Sequence, residues 1–338
     1  MNIVIVLPHF HRRKTGLTTS LLSVVKEFKK SQNVILIGNY LGYEKTTSLI
    51  EFFRIVLYIK EPIVIHVGRN IESLFGIIVK MFFFTKNIKV VYTRHSETSP
   101  SYLSRYMFYL CDQVVTLTMK VKKDFPLPSI CIPHGVDADH YSFQPKSHIS
   151  FPKCKKFIGV VGRVRPEKGQ KDVLMAALPL LQSDSELGLI ILGKVKRSQL
   201  SYKNMINHMA LTYGVKNQIF FIDTVEDIRP YYQMFSITIV ASYSEGFSMV
   251  PLEVMASSKL VIATHDVGIH DELIMNGQTG YLFNAGNIDE LSTLLKDNLY
   301  KNDKLKMIGL NARREILLNW TIETESRRLI ALYESLFI

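Results

Sequence analysis

Residues 157–169, "FIGVVGRVRPEKG", set the reading of the whole chain. A short apolar, β-branched run ends at Gly162, Arg163 stands at its carboxyl end, and Lys168-Gly169 opens a helix-length amphipathic stretch. A strand that is apolar throughout and runs into a helix is the repeating unit of a parallel sheet covered by helices on both sides. Read alone, the basic turn is either a solvated loop or an anion site. Arginine offers a planar fork of donors and lysine a point charge. A lysine at a helix start is electrostatically out of place unless an anion joins it, and a diphosphate is the obvious anion. The order GxxxxGK[ST] is missing, and Gly159 and Gly162 lack the rest of a dinucleotide fingerprint, so neither a Walker loop nor a nicotinamide site is read here.

The same alternation extends in both directions. Downstream, apolar runs recur at 187–193, 218–223, 237–242, 259–264 and 280–283, with helices expected at 169–183, 198–213, 226–235, 250–258 and 287–300. Upstream, strands are expected at 2–8, 33–38, 62–67, 89–94, 113–118 and 129–135. Residues 135–156 carry two prolines and no periodicity, which reads as a linker. The expectation is two doubly wound α/β domains, 1–150 and 151–320, facing a cleft, with ligands outside the carboxyl ends of the strands. The tail 321–337 reads as a helix capped by Thr321, with Leu329, Leu332, Tyr333 and Leu336 as its apolar stripe.

Composition narrows the functional classes. A chain of 338 residues with 47% hydrophobic and 21% charged residues is globular. The longest apolar candidate, "LFGIIVKMFFF" at 74–84, contains a lysine and falls short of the roughly 18 residues a membrane span needs. It reads as a buried or interfacial helix. The N-terminus lacks the basic residue that opens a signal peptide, and Cys111, Cys131 and Cys154 form no CxxC, so a cytoplasmic, metal-free protein is expected. Residues 1–150 hold 19 Lys and Arg against 10 Asp and Glu, a formal +9 of the chain's +11. Solubility is one explanation. The other is an anionic partner for the first half: nucleic acid, phospholipid headgroups or an acidic glycan.

Four stretches carry candidate chemistry. In "YSEGFSMVPLEVMASS" (243–258), Pro251 suits the first turn of a helix, so Glu253 lies just inside it and Glu245 in the loop before it. Two carboxylates reaching one ligand from different heights suit vicinal hydroxyls, each oxygen being an acceptor; taken singly, each is also consistent with a cap or a surface residue. In "PHFHRRKTGLTTSLL" (8–22), Gly16 at a helix start allows close backbone approach to a phosphate or sugar, and Arg12, Arg13 and Lys14 add positive charge, unless they form a solvated basic run. His95 ends the fourth strand and is an active-site candidate. His66 and His134 occupy similar strand ends, His9, His11, His265 and His270 fall in strand-end loops, and position alone does not rank them. "DAD" at 137–139 matches the loose DxD of some sugar transferases, but three residues in a linker do not make a metal site.

Together these motifs resemble retaining glycosyltransferases of family 4, which have the GT-B fold. Glu245 and Glu253 look like that family's EX7E pair, and residues 228–257, "GRVRPEKG" (162–169), "HGVD" (134–137) and "GQTGYLF" (277–283) are similar to its donor domain and linker. "RRKTG" (12–16), "HVGRN" (66–70) and "RPYYQ" (229–233) look most like lipopolysaccharide core mannosyltransferases of the rhizobial type, which use GDP-mannose and act on an inner-core Kdo sugar. The resemblance implies that Arg163 and Lys168 bind the donor diphosphate, Glu253 the ribose and Glu245 the transferred sugar. Gly246, Phe247 and Ser248 supply loop contacts, Gly16 approaches the phosphate, and His95 stands beside the reacting sugar. It also implies that the helix at 321–338 crosses back onto the first domain. Gly16 stands alone where many relatives carry a paired glycine.

The resulting expectation is hexose transfer with retention, from a nucleotide-diphosphate sugar to an acidic glycolipid, without a metal or other cofactor. The basic first half then predicts peripheral binding to the inner face of the cytoplasmic membrane, about 1 kcal/mol per Lys or Arg and weakened by salt. The rivals are a family 4 transferase using a UDP-sugar, an epimerase or phosphorylase of the same fold, and a basic nucleic-acid-binding protein. For the last, no RRM, KH or helix-turn-helix signature is present.

Overall fold

The computed structural model describes residues 1–11, 16–39, 44–142 and 149–338, which divide into two compact units. The first comprises Met1–Gly135 and Thr321–Ile338, the second Val136–Trp320.

The first unit contains β1 (Val4–His9), α1 (Gly16–Phe28), β2 (Asn33–Gly38), α2 (Leu49–Tyr58), β3 (Ile63–Val67), α3 (Asn70–Phe82), β4 (Ile88–Arg94), α4 (Tyr102–Leu110), β5 (Gln113–Thr116), α5 (Met119–Asp124) and β6 (Ser129–Cys131). The second contains α6 (Ala138–Ser142), β7 (Lys156–Val161), α7 (Gln170–Ser183), β8 (Leu187–Leu192), α8 (Leu200–Thr212), β9 (Ile219–Ile222), α9 (Arg229–Met234), β10 (Phe235–Val240), α10 (Val250–Ala256), β11 (Leu260–Thr264), α11 (His270–Leu273), β12 (Tyr281–Phe283), α12 (Ile288–Asn298) and α13 (Asn302–Asn319). The chain ends with α14 (Ile322–Ser335), which belongs to the first unit.

Each unit has one six-stranded sheet of parallel strands, in the order β2-β1-β3-β4-β5-β6 and β12-β11-β10-β7-β8-β9. Every strand expected from the sequence is present. Ile3, just before β1, and alternate residues of β1 feed two cores. Ile3, Ile5 and Leu7 pack with Val24, Phe28, Leu329 and Tyr333, while Val4 and Val6 pack with Phe52, Val79 and Phe108 on the other sheet face. Helices cover both faces, so neither face of a strand stays polar. α14 packs on α1, with Thr321 Oγ1 capping it through Thr324 N (3.2 Å).

Both sheets reverse direction once. In the first, β1 leads outward to β2 and the chain then returns to β3 on the other side of β1. In the second, β7-β8-β9 run one way and β10-β11-β12 the other, so β7 and β10 lie side by side. Loops leaving the carboxyl ends of two such neighbours go to opposite faces of the sheet and leave a crevice, the usual ligand site of doubly wound sheets.

The first unit ends at Gly135, not near residue 150, because residues 136–142 are bonded into the second. Val136 N donates to Trp320 O (2.9 Å), and Arg313 Nη1 donates to Ala138 O (3.1 Å). Part of the stretch read as an aperiodic linker is therefore the helix α6, whose start Asp137 caps by accepting from His140 N (2.8 Å).

Candidate functional site

The second unit brings Lys168 and Glu245 together at the β7/β10 crevice. After β7, a single 3-10 turn (Pro166–Lys168) presents the lysine, and Gly169 then adopts φ +65° to start α7. A Cβ at Gly169 would lie 2.1 Å from the Ala241 carbonyl oxygen, so only glycine permits this approach of the two loops. Tyr243 N donates to Glu167 O (2.9 Å) and stitches the same loops through their backbones. Gln170, fully buried, donates to Arg163 O (3.0 Å) and fixes the turn that carries the exposed Arg163 side chain.

Lys168 Nζ donates to Glu245 Oε1, which also accepts from Ser242 Oγ (2.7 Å). The two charged side chains are 15% and 13% exposed, so their attraction is little screened by water. The rest of the Glu245 loop is held by 266–269. Ile269 N donates to Phe247 O (3.0 Å), Phe247 is buried, and a Cβ on Gly268 would come within 2.5 Å of Phe247 O. Ser248 takes φ +79°, a backbone geometry unfavourable for a residue with a side chain. A strained residue between two acidic candidates marks a loop shaped for something other than stability. His270 lies beside this pair, buried, and its Nδ1 donates to Thr264 O (2.8 Å). Burial lowers its pKa. Position alone did not rank His270 above the other strand-end histidines.

Glu253 sits in a different set of bonds. It is in the first turn of α10, and its Oε2 accepts from the Tyr232 hydroxyl (2.5 Å) while Tyr141 of α6 donates a second phenolic hydrogen bond. Burial raises the Glu253 pKa, and the two phenols pull it back down. Burial also raises both tyrosine pKa values, so the phenols stay protonated donors. A carboxylate has about four lone-pair sites. Two phenols occupy two of them and leave capacity for a pair of hydroxyls. Tyr141 and Tyr232 were not picked out in the sequence; Tyr141 fell in the stretch read as linker.

In the first unit, His95 follows β4 and lines a cavity at the β1/β3 reversal together with His9, His66, Glu72, His134 and Glu325. His134 Nδ1 donates to Glu325 Oε1 (2.8 Å), and Gly135 N donates to the other oxygen (2.7 Å). A neutral His134 then has its lone pair on Nε2, which lies 3.4 Å from His95 Nδ1, with the rings stacked at 5.3 Å. In that tautomer His95 Nδ1 is the donor and its Nε2 keeps the lone pair. Burial lowers the His95 pKa well below the ordinary histidine value, reinforced by His134, His66 and Arg69. His66 hydrogen-bonds the Tyr333 hydroxyl through Nδ1 and Thr93 Oγ1 through Nε2 (2.6 Å); burial brings its pKa down to about 4. Glu72, buried, accepts from Gly68 N (3.2 Å). Glu325 was the residue missed. Its position four before Leu329, on the buried stripe of α14, was the available signal.

Gly16 is the first residue of α1. Arg12, Arg13 and Lys14 lie outside the described residues.

Three comparisons bear on this geometry. The family model described as glycosyl transferases group 1 matches residues 144–315. The lipopolysaccharide core biosynthesis mannosyltransferase LpsB of Rhizobium meliloti (strain 1021) is 25% identical over 350 residues, covering 99% of this chain and 98% of that one. LpcC of Rhizobium leguminosarum bv. viciae, of the same description, is 23% identical over 345 residues, covering 99% and 97%. Among solved structures, a glycosyltransferase from Rickettsia africae ESF-5 superposes with a TM-score of 0.80 at 18% identity, covering 99% of each chain, a likeness of fold that accords with the expected GT-B architecture.

Proposed function

The chain belongs to the glycosyl transferases group 1 family, and we propose that this glycosyltransferase is a retaining, family 4 enzyme that moves mannose from GDP-mannose onto a lipopolysaccharide core (Kdo) acceptor. The observation that carries the donor assignment is the meeting of Lys168 and Glu245 at the β7/β10 reversal, 77 residues apart in the chain. The full-length likeness to two lipopolysaccharide core mannosyltransferases supports the sugar and the acceptor class.

In this reading the donor diphosphate enters beside Lys168 and Arg163. As the glycosidic bond breaks, negative charge grows on the leaving phosphate, and a preorganised cation in a site shielded from water stabilises it more than it stabilises the ground state. Glu245 is shared between Lys168 and Ser242 in the free enzyme. With donor present, the lysine turns part of its donor capacity to phosphate and the carboxylate receives sugar hydroxyls. Glu253, held by Tyr141 and Tyr232, offers its remaining lone pairs to the ribose. Gly246, Phe247 and Ser248 line the sugar side, and Gly16 opens a helix on the acceptor side. A catalytic role is assigned to His95 on the resemblance of its position to the family's first-domain histidine. The leaving phosphate assists in taking the acceptor proton, and turnover is independent of metal and persists in EDTA.

The test is a hydrolysis and thermal-shift screen across GDP-mannose, UDP-glucose, UDP-galactose and UDP-N-acetylglucosamine. A selective response to GDP-mannose is expected. A selective response to a UDP-sugar removes the mannose assignment and leaves the transferase, and silence toward all four removes the donor site.

In this reading the enzyme works against the inner face of the cytoplasmic membrane, where such an acceptor is expected. No helix among the described residues is long and apolar enough to cross a membrane, so the proposed attachment is peripheral.

A further inference from the structure

The apolar segment at 74–84 forms part of α3, and α3 is amphipathic in an unusual sense. Its inner side, Ser73, Gly76, Ile77 and Val79, is buried against the sheet. Its outer side is apolar too: Ile71, Leu74, Ile78, Met81 and Phe82 recur at spacings of three, four, three and one, and all are exposed, Phe82 by 80%. The neighbouring helices repeat the pattern. On α4, Tyr102, Leu103, Tyr106 and Tyr109 share one outer face, Tyr102 being 90% exposed. On α2, Ile50, Leu57 and Tyr58 are exposed, Tyr58 by 83%.

These three helices form one surface. Phe52 and Phe53 of α2 meet Phe75 and Phe83 of the α3 region at 5.8 and 6.0 Å between ring centroids, and Asn70 Nδ2 donates to Ser104 Oγ (3.0 Å) between α3 and α4. The core on the sheet side is already filled by Phe52, Val56, Val79 and Phe108. The outer side chains are not part of that core. A helix apolar on all sides is ordinarily buried in protein or lipid, and soluble monomers rarely leave so large a continuous apolar face in water.

We propose that the outer face of α2, α3 and α4 is a membrane-docking surface that seats its aromatic and aliphatic side chains in the headgroup and upper acyl region of an anionic bilayer. Tyrosine is enriched where an apolar ring and a polar tip meet different media, as at a membrane interface. Arg54 on α2, Arg105 on α4, and Lys60 and Lys86 in the connecting loops outnumber the exposed acids of the same segments, Glu51 and Glu61. Arg105 stands over the Tyr102 ring at 5.9 Å, which keeps its charge at the edge of the face. A second copy of the chain fits less well, because a twofold contact would bring two copies of the same basic-rimmed face together. The inference rests on the proposed acceptor being held at a membrane, and it changes the expected character of attachment. Charge alone predicts binding that vanishes in salt, whereas an inserted apolar face leaves a salt-resistant remainder.

The test is co-sedimentation of the full chain with phosphatidylcholine vesicles and with phosphatidylcholine–phosphatidylglycerol vesicles, at low and high salt, with no donor or acceptor present. Binding to the anionic vesicles that falls with salt to a measurable plateau is expected. The double substitution Ile78→Asp with Tyr106→Asp is expected to lower partitioning at high salt at least about tenfold, with a melting temperature only slightly lowered because both side chains are at least half exposed. If that protein fails to fold, Met81→Glu with Phe84→Glu, at the exposed end of α3 and in the turn just after it, gives the same reading. Wild-type-like partitioning of a folded double variant overturns the proposal. So does a concentration-dependent dimer in sedimentation equilibrium that the substitutions abolish while vesicle binding persists. Donor hydrolysis in detergent, measured separately on the same variants, is expected to be unchanged, and its absence from the wild type would count against the transferase reading and not against the surface.

Discussion

Replacing Lys168 by alanine perturbs two things that a double substitution separates. The lysine neutralises Glu245, and both side chains are about nine-tenths withdrawn from water apart from a small exposed edge. Removing one partner of a fully buried pair costs about 3–5 kcal/mol because the other charge is left uncompensated. Here Ser242 Oγ still donates to Glu245, and some water reaches the site, so about 2–3 kcal/mol is the expected loss. At roughly 2–4 °C per kcal/mol for a unit of this size, the melting temperature falls by about 4–12 °C. The catalytic loss is separate. Deleting one preorganised group aimed at developing charge costs about 100- to 1000-fold in turnover. Adding Glu245→Gln to Lys168→Ala removes the stranded carboxylate and is expected to recover most of the stability and none of the activity. Melting curves and donor hydrolysis of the two single variants and the double variant decide the matter. If the double variant recovers activity in step with stability, Lys168 acts only through folding and the diphosphate role is wrong.

Three further outcomes follow from the same geometry. Tyr232→Phe removes the 2.5 Å hydrogen bond to Glu253 and is expected to raise the donor KM several-fold with little change in kcat, because a ribose contact is equal in ground and transition states; a pure kcat effect would contradict this. Glu325→Gln loses the carboxylate that fixes His134 and through it the His95 tautomer, and is expected to shift the lower limb of the pH–kcat/KM profile, with an unchanged profile refuting the arrangement. The neutral His66, with its pKa lowered to about 4 by burial, makes stability pH-dependent: the unfolded chain takes up a proton near pH 6.5 and the native state does not. Stability is thus full above about pH 6.5 and is lost as pH falls toward 4, by roughly 2–3 kcal/mol, and urea midpoints at pH 7 and 5 for wild type and His66→Asn measure it, the variant showing the flatter slope. His9, His95 and His270 are lowered in the same direction, so the variant flattens the dependence only in part.

The strands were legible because a sheet covered on both faces writes each of them as an unbroken apolar run, as "LGLIIL" (187–192) shows with all six residues buried. α13 was not legible: its buried contacts are Ile308, Gly309, Ala312 and Ile316, two of them too small to mark an apolar stripe. α6 was hidden in a polar stretch because only Ala138 of its five residues is buried. Of the site, the residue types and strand-end positions could be read, since loops at the carboxyl ends of parallel strands are where doubly wound sheets bind ligands. What could not be read were the pairings. Lys168 with Glu245, Glu253 with Tyr141 and Tyr232, and His134 with Glu325 join residues that are 77, 112 and 21, and 191 positions apart, and only the strand order brings them into reach. The outer face of α3 was read as buried or interfacial, and the structure separates the two: one side of the helix is buried and the other is exposed.

The most direct measurement is transfer itself: labelled GDP-mannose incubated with the protein and a Kdo-terminated core acceptor in EDTA, with the anomeric configuration of the product read by NMR. The account predicts a mannosylated acceptor that retains the donor's configuration and disappears with Lys168→Ala. Transfer with inversion, or no transfer from any nucleotide sugar by a folded protein, would contradict it.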